Sequence, residues 1–164
     1  MTIYWSGEEI LEMAVQIEKN GVDFYLGLAE SAKDDNMRGL MQYLAEEEKK
    51  HMAIFRKLSG VSDQEHLKNL YELQYGEEGR LYLKALADTK IFADSNEAAH
   101  WARGAENPSE ALGTAIDLEK DSILFYQEMR NFVRADDRNL VDEIINEEKK
   151  HIQTLATLKK ECLS

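Results

Sequence analysis

The sequence predicts an all-α protein: a four-helix bundle made of two repeated antiparallel hairpins joined by a long crossover. Apolar residues recur at helical spacing through four segments, and two of the three connections between these segments are short. The second half also repeats motifs of the first at an offset of 100 or 101 residues. We expect one domain over residues 1–164, with the first hairpin at about 6–60, the crossover at about 61–108 and the second hairpin at about 109–162.

The first hairpin contains two long amphipathic segments. Ser6 begins a capping-box pattern, so we expect the first helix at about 6–31. A polar turn at 34–36 caps a second helix at about 37–58, which Gly60 ends as a C-cap. A connection this short makes the two helices antiparallel.

An irregular region connects the two hairpins. Three glycines and the only proline interrupt the pattern between 61 and 108, so we expect short helical pieces that lie across the bundle. Ser109 is predicted to cap a third helix at about 110–134, and a fourth follows at about 138–160. No hairpin dipeptide separates alternating apolar runs, so no strand is predicted.

Composition excludes several classes of function. At 43% hydrophobic and 32% charged residues, the 164-residue chain is typical of a globular domain with a sizeable core. A formal net charge of −12 argues against nucleic acid and anionic membranes as partners. No apolar run approaches the roughly 20 residues that span a bilayer, and the acidic N-terminus does not resemble a signal peptide, so we expect a cytoplasmic protein. The single cysteine, Cys162, excludes an intrachain disulfide and a Cys-x-x-Cys metal site.

The motif Glu-Lys-Lys-His occurs twice, at 48–51 and at 148–151. Residues three apart share one face of a helix, so each copy directs a carboxylate and an imidazole to the same place. Both pairs interrupt an apolar stripe, as Glu18 and Glu119 do in the first and third helices. A carboxylate in an apolar core costs several kcal/mol (order of magnitude) unless it is protonated, paired or bound to a cation.

Face-to-face packing of the two hairpins would bring six metal-ligand side chains to one depth of the bundle: Glu18, Glu48, His51, Glu119, Glu148 and His151. Two divalent cations would neutralise the four carboxylates. Carboxylate with imidazole and no thiolate suits iron or manganese, and zinc could also bind. The sequence therefore predicts a binuclear metal site.

Other residues with a similar pattern have simpler interpretations. Glu97 and His100 also show Glu-x-x-His spacing, but they have no second copy, so we interpret them as surface residues. Glu47 and Glu147, about 100° round the helix from the ligand stripe, are expected to face solvent.

Tyr25 and Tyr126 each follow a phenylalanine and lie seven residues after Glu18 and Glu119, respectively. They are either core aromatics or hydrogen-bond donors to the carboxylates, which would make them candidate catalytic residues.

These motifs resemble those of the rubrerythrin-type members of the ferritin-like di-iron carboxylate family. The resemblance rests on residues 14–25, on Leu-Ala-Glu-Glu-Glu-Lys-Lys-His at 44–51, and on their second-half counterparts. It covers both hairpins, about two thirds of the chain. It implies two irons bridged by Glu48 and Glu148, with each histidine ligating one iron and the two remaining glutamates as terminal ligands.

The resemblance also implies an activity, with two departures from the family pattern. It implies reduction of hydrogen peroxide or dioxygen, in a homodimer. Because Cys162 stands alone, we expect no rubredoxin-like domain, and we expect electrons to come from an external donor protein. Rubrerythrins carry a second glutamate beyond the third-helix ligand, where this chain has Ser122, with Gly21 as its first-half counterpart. Iron oxidation for storage, or a binding protein that metals merely stabilise, are the alternatives.

Overall fold

The computed structural model describes residues 7–58, 78, 81–82, 85–86, 95–105 and 107–162. Over these residues the all-α class is confirmed, since helices account for nearly all of them and no strand occurs. Five α-helices are delimited, with two short 3₁₀ helices, Arg130–Phe132 and Ala135–Asp137, before the last: α1 (Gly7–Ser31), α2 (Asp35–Leu58), α3 (Ser95–Gly104), α4 (Pro108–Met129) and α5 (Arg138–Cys162).

The first hairpin pairs α1 with α2 across a three-residue connection. Asp34 caps α2, as predicted from the polar turn: its Oδ2 accepts a hydrogen bond from the Met37 backbone N–H at 2.9 Å. The cap satisfies one of the free N–H groups of the first turn of α2, and the short connection makes the helices antiparallel. The predicted caps at Ser6 and Gly60 lie outside the described residues.

Helix α3 is the longest described part of the predicted crossover and packs on the bundle, while most of 61–94 lies outside the described residues. It lies against α1 at very short range, because a Cβ on Gly27 would be 2.9 Å from the carbonyl oxygen of Ala99 and 3.0 Å from the Cβ of Ala102. Small residues on both sides therefore set the distance between α1 and α3.

The second hairpin, α4 with α5, corrects two predicted boundaries. Asn107, not Ser109, is the N-cap: its Oδ1 accepts hydrogen bonds from the backbone N–H groups of Ser109 at 3.0 Å and Glu110 at 3.4 Å. Pro108 then occupies the first helical position, where a missing N–H costs nothing.

Helix α4 ends at Met129 rather than near residue 134. The chain tightens into a 3₁₀ turn that buries Phe132 and Val133. Arg130 in this turn forms a bidentate ion pair with Asp142 of α5, in which Nε and Nη2 donate to the two carboxylate oxygens at 2.6 and 2.9 Å. Burial of these apolar residues outweighs continuation of a straight helix.

The core lies between the two hairpins and is mostly aliphatic and aromatic. Among the described residues, eight polar or charged side chains are nonetheless buried, and six of them are the predicted glutamates and histidines. None of the described helices is at once long enough and apolar enough to cross a membrane.

Candidate metal centre

The six predicted side chains come together at one depth of the bundle. Glu18 lies on α1 and Glu119 on α4, while α2 and α5 each supply a glutamate and a histidine one helical turn apart. All six residues have an exposed fraction of 5% or less. Helix periodicity explains this placement, because every one of them lies on the apolar stripe that its helix buries.

The ligand atoms form two overlapping groups, within each of which they lie within 4.8 Å of one another. Each histidine belongs to one group only, and so do Glu18 and Glu119. Glu48 and Glu148 belong to both. The groups are Glu18, Glu48, His51 and Glu148, and Glu48, Glu119, Glu148 and His151.

Both histidines turn Nδ1 toward the carboxylates. Glu148 lies between them, with Oε1 3.1 Å from His51 Nδ1 and Oε2 2.8 Å from His151 Nδ1. Glu48 also lies between them, at 3.8 Å from His51 Nδ1 and 3.3 Å from His151 Nδ1. Glu18 lies beside His51 at 3.6 Å, and Glu119 lies beside His151 at 3.5 Å.

Several of these buried atoms make no hydrogen bond to any described residue. They are Glu18 Oε2, Glu48 Oε1, both carboxylate oxygens of Glu148, and the Nδ1 atoms of His51 and His151. An unsatisfied buried polar atom costs about 1–3 kcal/mol, and more when it is charged. Six such atoms facing one another match the donor set of a metal site, and four carboxylates match the charge of two divalent cations. The residues present therefore fit a pair of metal ions.

Without cations, protons must offset the same charge. Burial and the neighbouring carboxylates raise the pKa values of Glu18 and Glu119 well above the ordinary range. Burial by itself would lower the pKa of His151, but its contacts with Glu119, Glu148 and Glu48 outweigh burial and raise this pKa to about 12. A cation that enters the site therefore competes with bound protons.

Each of the two tyrosines donates a hydrogen bond to a glutamate of the other repeat. Tyr25 donates a hydrogen bond to Glu119 Oε1, and Tyr126 donates one to Glu18 Oε1 at 2.5 Å. Both rings are buried, so they are core aromatics and hydrogen-bond donors together. Each hydroxyl fixes the outer carboxylate of the opposite hairpin.

The expectation that Glu47 and Glu147 face solvent is wrong for Glu47 and holds only in part for Glu147. Glu147 has a side chain that is 42% exposed, and its Oε2 lies 2.8 Å from His51 Nε2, so the carboxylate accepts the ring N–H and leaves Nδ1 facing the site. Glu47 has a 13% exposed side chain and pairs instead with Lys50. The 100° offset brings Glu147 to His51 on the neighbouring helix α2, a contact that the periodicity of a single helix does not predict.

A small cavity adjoins the cluster where the family pattern would have a second glutamate. It has a volume of about 10 Å³, roughly the room of one water molecule. Gly21 and Ser122 are among its lining residues, with Glu48 and Glu119. A Cβ on Gly21 would lie 3.3 Å from Glu48 Cγ, so glycine there leaves room for the carboxylate.

The third Glu-x-x-His motif, at 97–100, takes no part in the cluster. Glu97 and His100 are both exposed on α3, and neither belongs to the two groups of ligand atoms. Their interpretation as surface residues is confirmed.

Comparisons with known proteins agree with this architecture. The family model for rubrerythrin matches residues 9–159. A crystal structure of a candidate ferritin-like diiron-carboxylate protein from Thermotoga maritima superposes with a TM-score of 0.71 and 26% sequence identity. The match covers 98% of this chain and 99% of that one. No curated protein matches the chain.

Proposed function

We propose that this chain, which belongs to the rubrerythrin family, is a di-iron carboxylate oxidoreductase that reduces hydrogen peroxide, or dioxygen, with electrons from an external donor protein. The observation that carries the proposal is the set of buried carboxylate and imidazole atoms that face one another without hydrogen bonds. The oxygen and nitrogen donor set, without thiolate, suits iron.

The geometry supports a division of roles among the ligands. Glu48 and Glu148 would help to hold both ions, because each has oxygen atoms within 4 Å of both histidine Nδ1 atoms. Glu18 and Glu119 would be terminal ligands, because each lies beside one histidine. Each histidine would bind one ion through Nδ1.

When bound, two ferrous ions would supply the two electrons that reduction of the O–O bond requires. The residues of the chain orient the ligands around them. Tyr126 holds Glu18 Oε1, so that Glu18 Oε2 turns toward the centre, and Tyr25 holds Glu119 Oε1. Both hydroxyl groups also carry protons beside the carboxylates, which suits a reaction that consumes two protons for each peroxide reduced to water.

The surroundings of the cluster favour a small substrate. The cluster lies in an apolar core, and the adjoining cavity at Gly21 and Ser122 is small, with a volume of about 10 Å³. This supports a small neutral oxidant such as hydrogen peroxide or dioxygen and disfavours a bulky organic hydroperoxide.

The proposal is tested by anaerobic loading with Fe(II), followed by stoichiometric hydrogen peroxide. We expect two irons per chain, rapid oxidation, and sustained turnover when a one-electron donor is added. The variants His151→Ala and His100→Ala form a matched pair, since both histidines end a Glu-x-x-His motif and only the first lies in the cluster.

Loss of activity in His151→Ala alone supports the proposal, and equal activity in both variants contradicts it. Uptake of many irons per chain would indicate storage instead. Stabilisation by zinc equal to that by iron, with no reaction toward oxidants, would indicate a binding protein.

A further inference from the structure

A row of three aromatic rings connects the surface of α3 with the carboxylate cluster. Trp101, which is 37% exposed, stacks on Phe24 with ring centroids 5.8 Å apart and an angle of 17° between the planes. Phe24 is fully buried and meets Tyr25 edge-on, with centroids 5.6 Å apart. Tyr25 then donates its hydroxyl hydrogen bond to Glu119. The row therefore runs from solvent to a residue of the metal centre through directly contacting rings.

The second repeat has no equivalent row. Tyr126 contacts Phe125 and Phe55, with centroids 6.1 and 4.9 Å away, and both of these rings are fully buried. Within the described ranges, no exposed aromatic ring contacts either phenylalanine. The difference arises because Trp101 belongs to α3, which lies outside the duplicated hairpins. Only the Tyr25 side thus reaches the surface through aromatic contacts in the described part of the chain.

We propose that Trp101, Phe24 and Tyr25 form a one-electron relay between the buried metal centre and the protein surface, with Trp101 as the residue that meets the reductant. The proposal rests on the proposed di-iron function, because the relay serves a centre that takes up electrons. Tyrosine and tryptophan are among the protein side chains that most readily give up one electron, and the relay has one at each end. Close ring contact through Phe24 couples them.

The electrons and protons of the relay balance. Tyr25 gives one electron to the centre and its phenolic proton to Glu119 Oε1, its hydrogen-bond acceptor. Trp101 then returns one electron to Tyr25 across Phe24, and the proton moves back from Glu119. A one-electron reductant, the external donor protein, restores Trp101. One electron thus passes from the reductant to the centre without transfer of any atom, and two passes supply one peroxide reduction.

The relay is tested in the full-length chain loaded with zinc, which undergoes no redox change. A laser flash generates tris(bipyridine)ruthenium(III), which oxidises exposed residues. Electron paramagnetic resonance then detects tyrosyl radicals. Tyr25 is only 2% exposed, so the soluble oxidant reaches it through other residues. Exposed Tyr43 and Tyr82 give tyrosyl signals of their own, so the Tyr25 signal is the part of the spectrum that Tyr25→Phe removes. We expect that part to be lost also in Trp101→Phe, which keeps a stacked ring that is hard to oxidise. The matched control Phe125→Leu, in the other repeat, should retain the signal.

Two results would overturn the relay. One is a Tyr25 signal of equal yield in wild type and Trp101→Phe, and the other is a wild-type spectrum identical to that of Tyr25→Phe. Zinc content and helical circular dichroism, measured first, show that each variant is folded and loaded. A further outcome is that the zinc-loaded protein shows the expected tyrosyl signals while the iron-loaded protein does not react with peroxide. That result would support the relay and contradict the proposed reaction.

A second measurement applies to the iron-loaded protein. Peroxide added without reductant should leave oxidation products on Trp101 in peptide mass spectra, and Tyr25→Phe should prevent them. Equal oxidation of Trp101 in both proteins would also contradict the relay.

Discussion

The carboxylate of Glu147 makes the two halves of the metal centre unequal. It accepts the Nε2–H of His51, whereas its counterpart Glu47 pairs with Lys50. A carboxylate on the outer ring nitrogen fixes the tautomer and ring orientation and makes the ligand nitrogen more basic. Removing it in Glu147→Ala should therefore weaken metal binding at the His51 position.

The expected size of the effect follows from the type of contact. Loss of such an outer partner typically lowers metal affinity about 10- to 100-fold, or roughly 1.4–2.8 kcal/mol. Because the Glu147 side chain is 42% exposed, water can replace part of the hydrogen bond, so we expect about tenfold. Glu147→Gln keeps an acceptor but loses the charge, and a neutral hydrogen bond is about half as strong, so a smaller loss, about threefold, is expected.

Competition with a chromophoric chelator for Co(II) or Zn(II) at fixed pH measures this loss. Glu47→Ala is the matched control, because it removes the same charge at the repeat-related position but breaks only an ion pair with a lysine that is mostly exposed. The weaker of the two binding steps should shift in Glu147→Ala and stay within about twofold of wild type in Glu47→Ala. Equal shifts in both variants, or none in Glu147→Ala, would refute the assigned role of this contact.

Three further predictions concern the site and its support. Glu148→Ala should abolish tight binding of both metal ions, because one carboxylate contacts both histidines; metal analysis that still finds two ions per chain would contradict this. Metal binding should release protons, because the raised pKa values of Glu18 and Glu119 mean that protons occupy the empty site. The affinity for metal should therefore rise from about pH 6 to about pH 8. A metal affinity independent of pH, measured by titration in weak buffer, would contradict this prediction. Gly27→Ala should lower the midpoint of thermal unfolding by several degrees, because its Cβ would lie 2.9 Å from the Ala99 carbonyl oxygen; an unchanged midpoint would show that α3 shifts freely.

The duplicated motif made most of the fold and the site predictable. Glutamate and histidine occupy identical places in two apolar stripes, where burial of a charged side chain is costly. The cost is offset only if these side chains come together around cations or protons. Because the helix period fixes which residues share a face, the depth and partners of Glu48 and Glu148 follow from the sequence alone. The structure brings all six side chains together as that reasoning expects.

The contacts between helices were not predictable in the same way. The bond from His51 to Glu147 depends on how α2 and α5 are rotated about their axes, which the periodicity of one helix does not determine. The stacking of Trp101 on Phe24 depends on the path of the crossover, and nothing in its local pattern specifies that α3 packs on α1. The cap at Asn107 could have been found, since Asn-Pro before an apolar helix places a strong N-cap residue ahead of a proline at the first helical position.

We propose that two metal ions lie between the hairpins and are held by the six buried side chains. Anomalous diffraction at the iron absorption edge, from crystals of the iron-loaded protein, tests it most directly. We predict two peaks about 3.5–4 Å apart, with Glu48 and Glu148 in contact with both and one histidine Nδ1 bound to each. A single peak, or peaks only at exposed carboxylates, would contradict the claim.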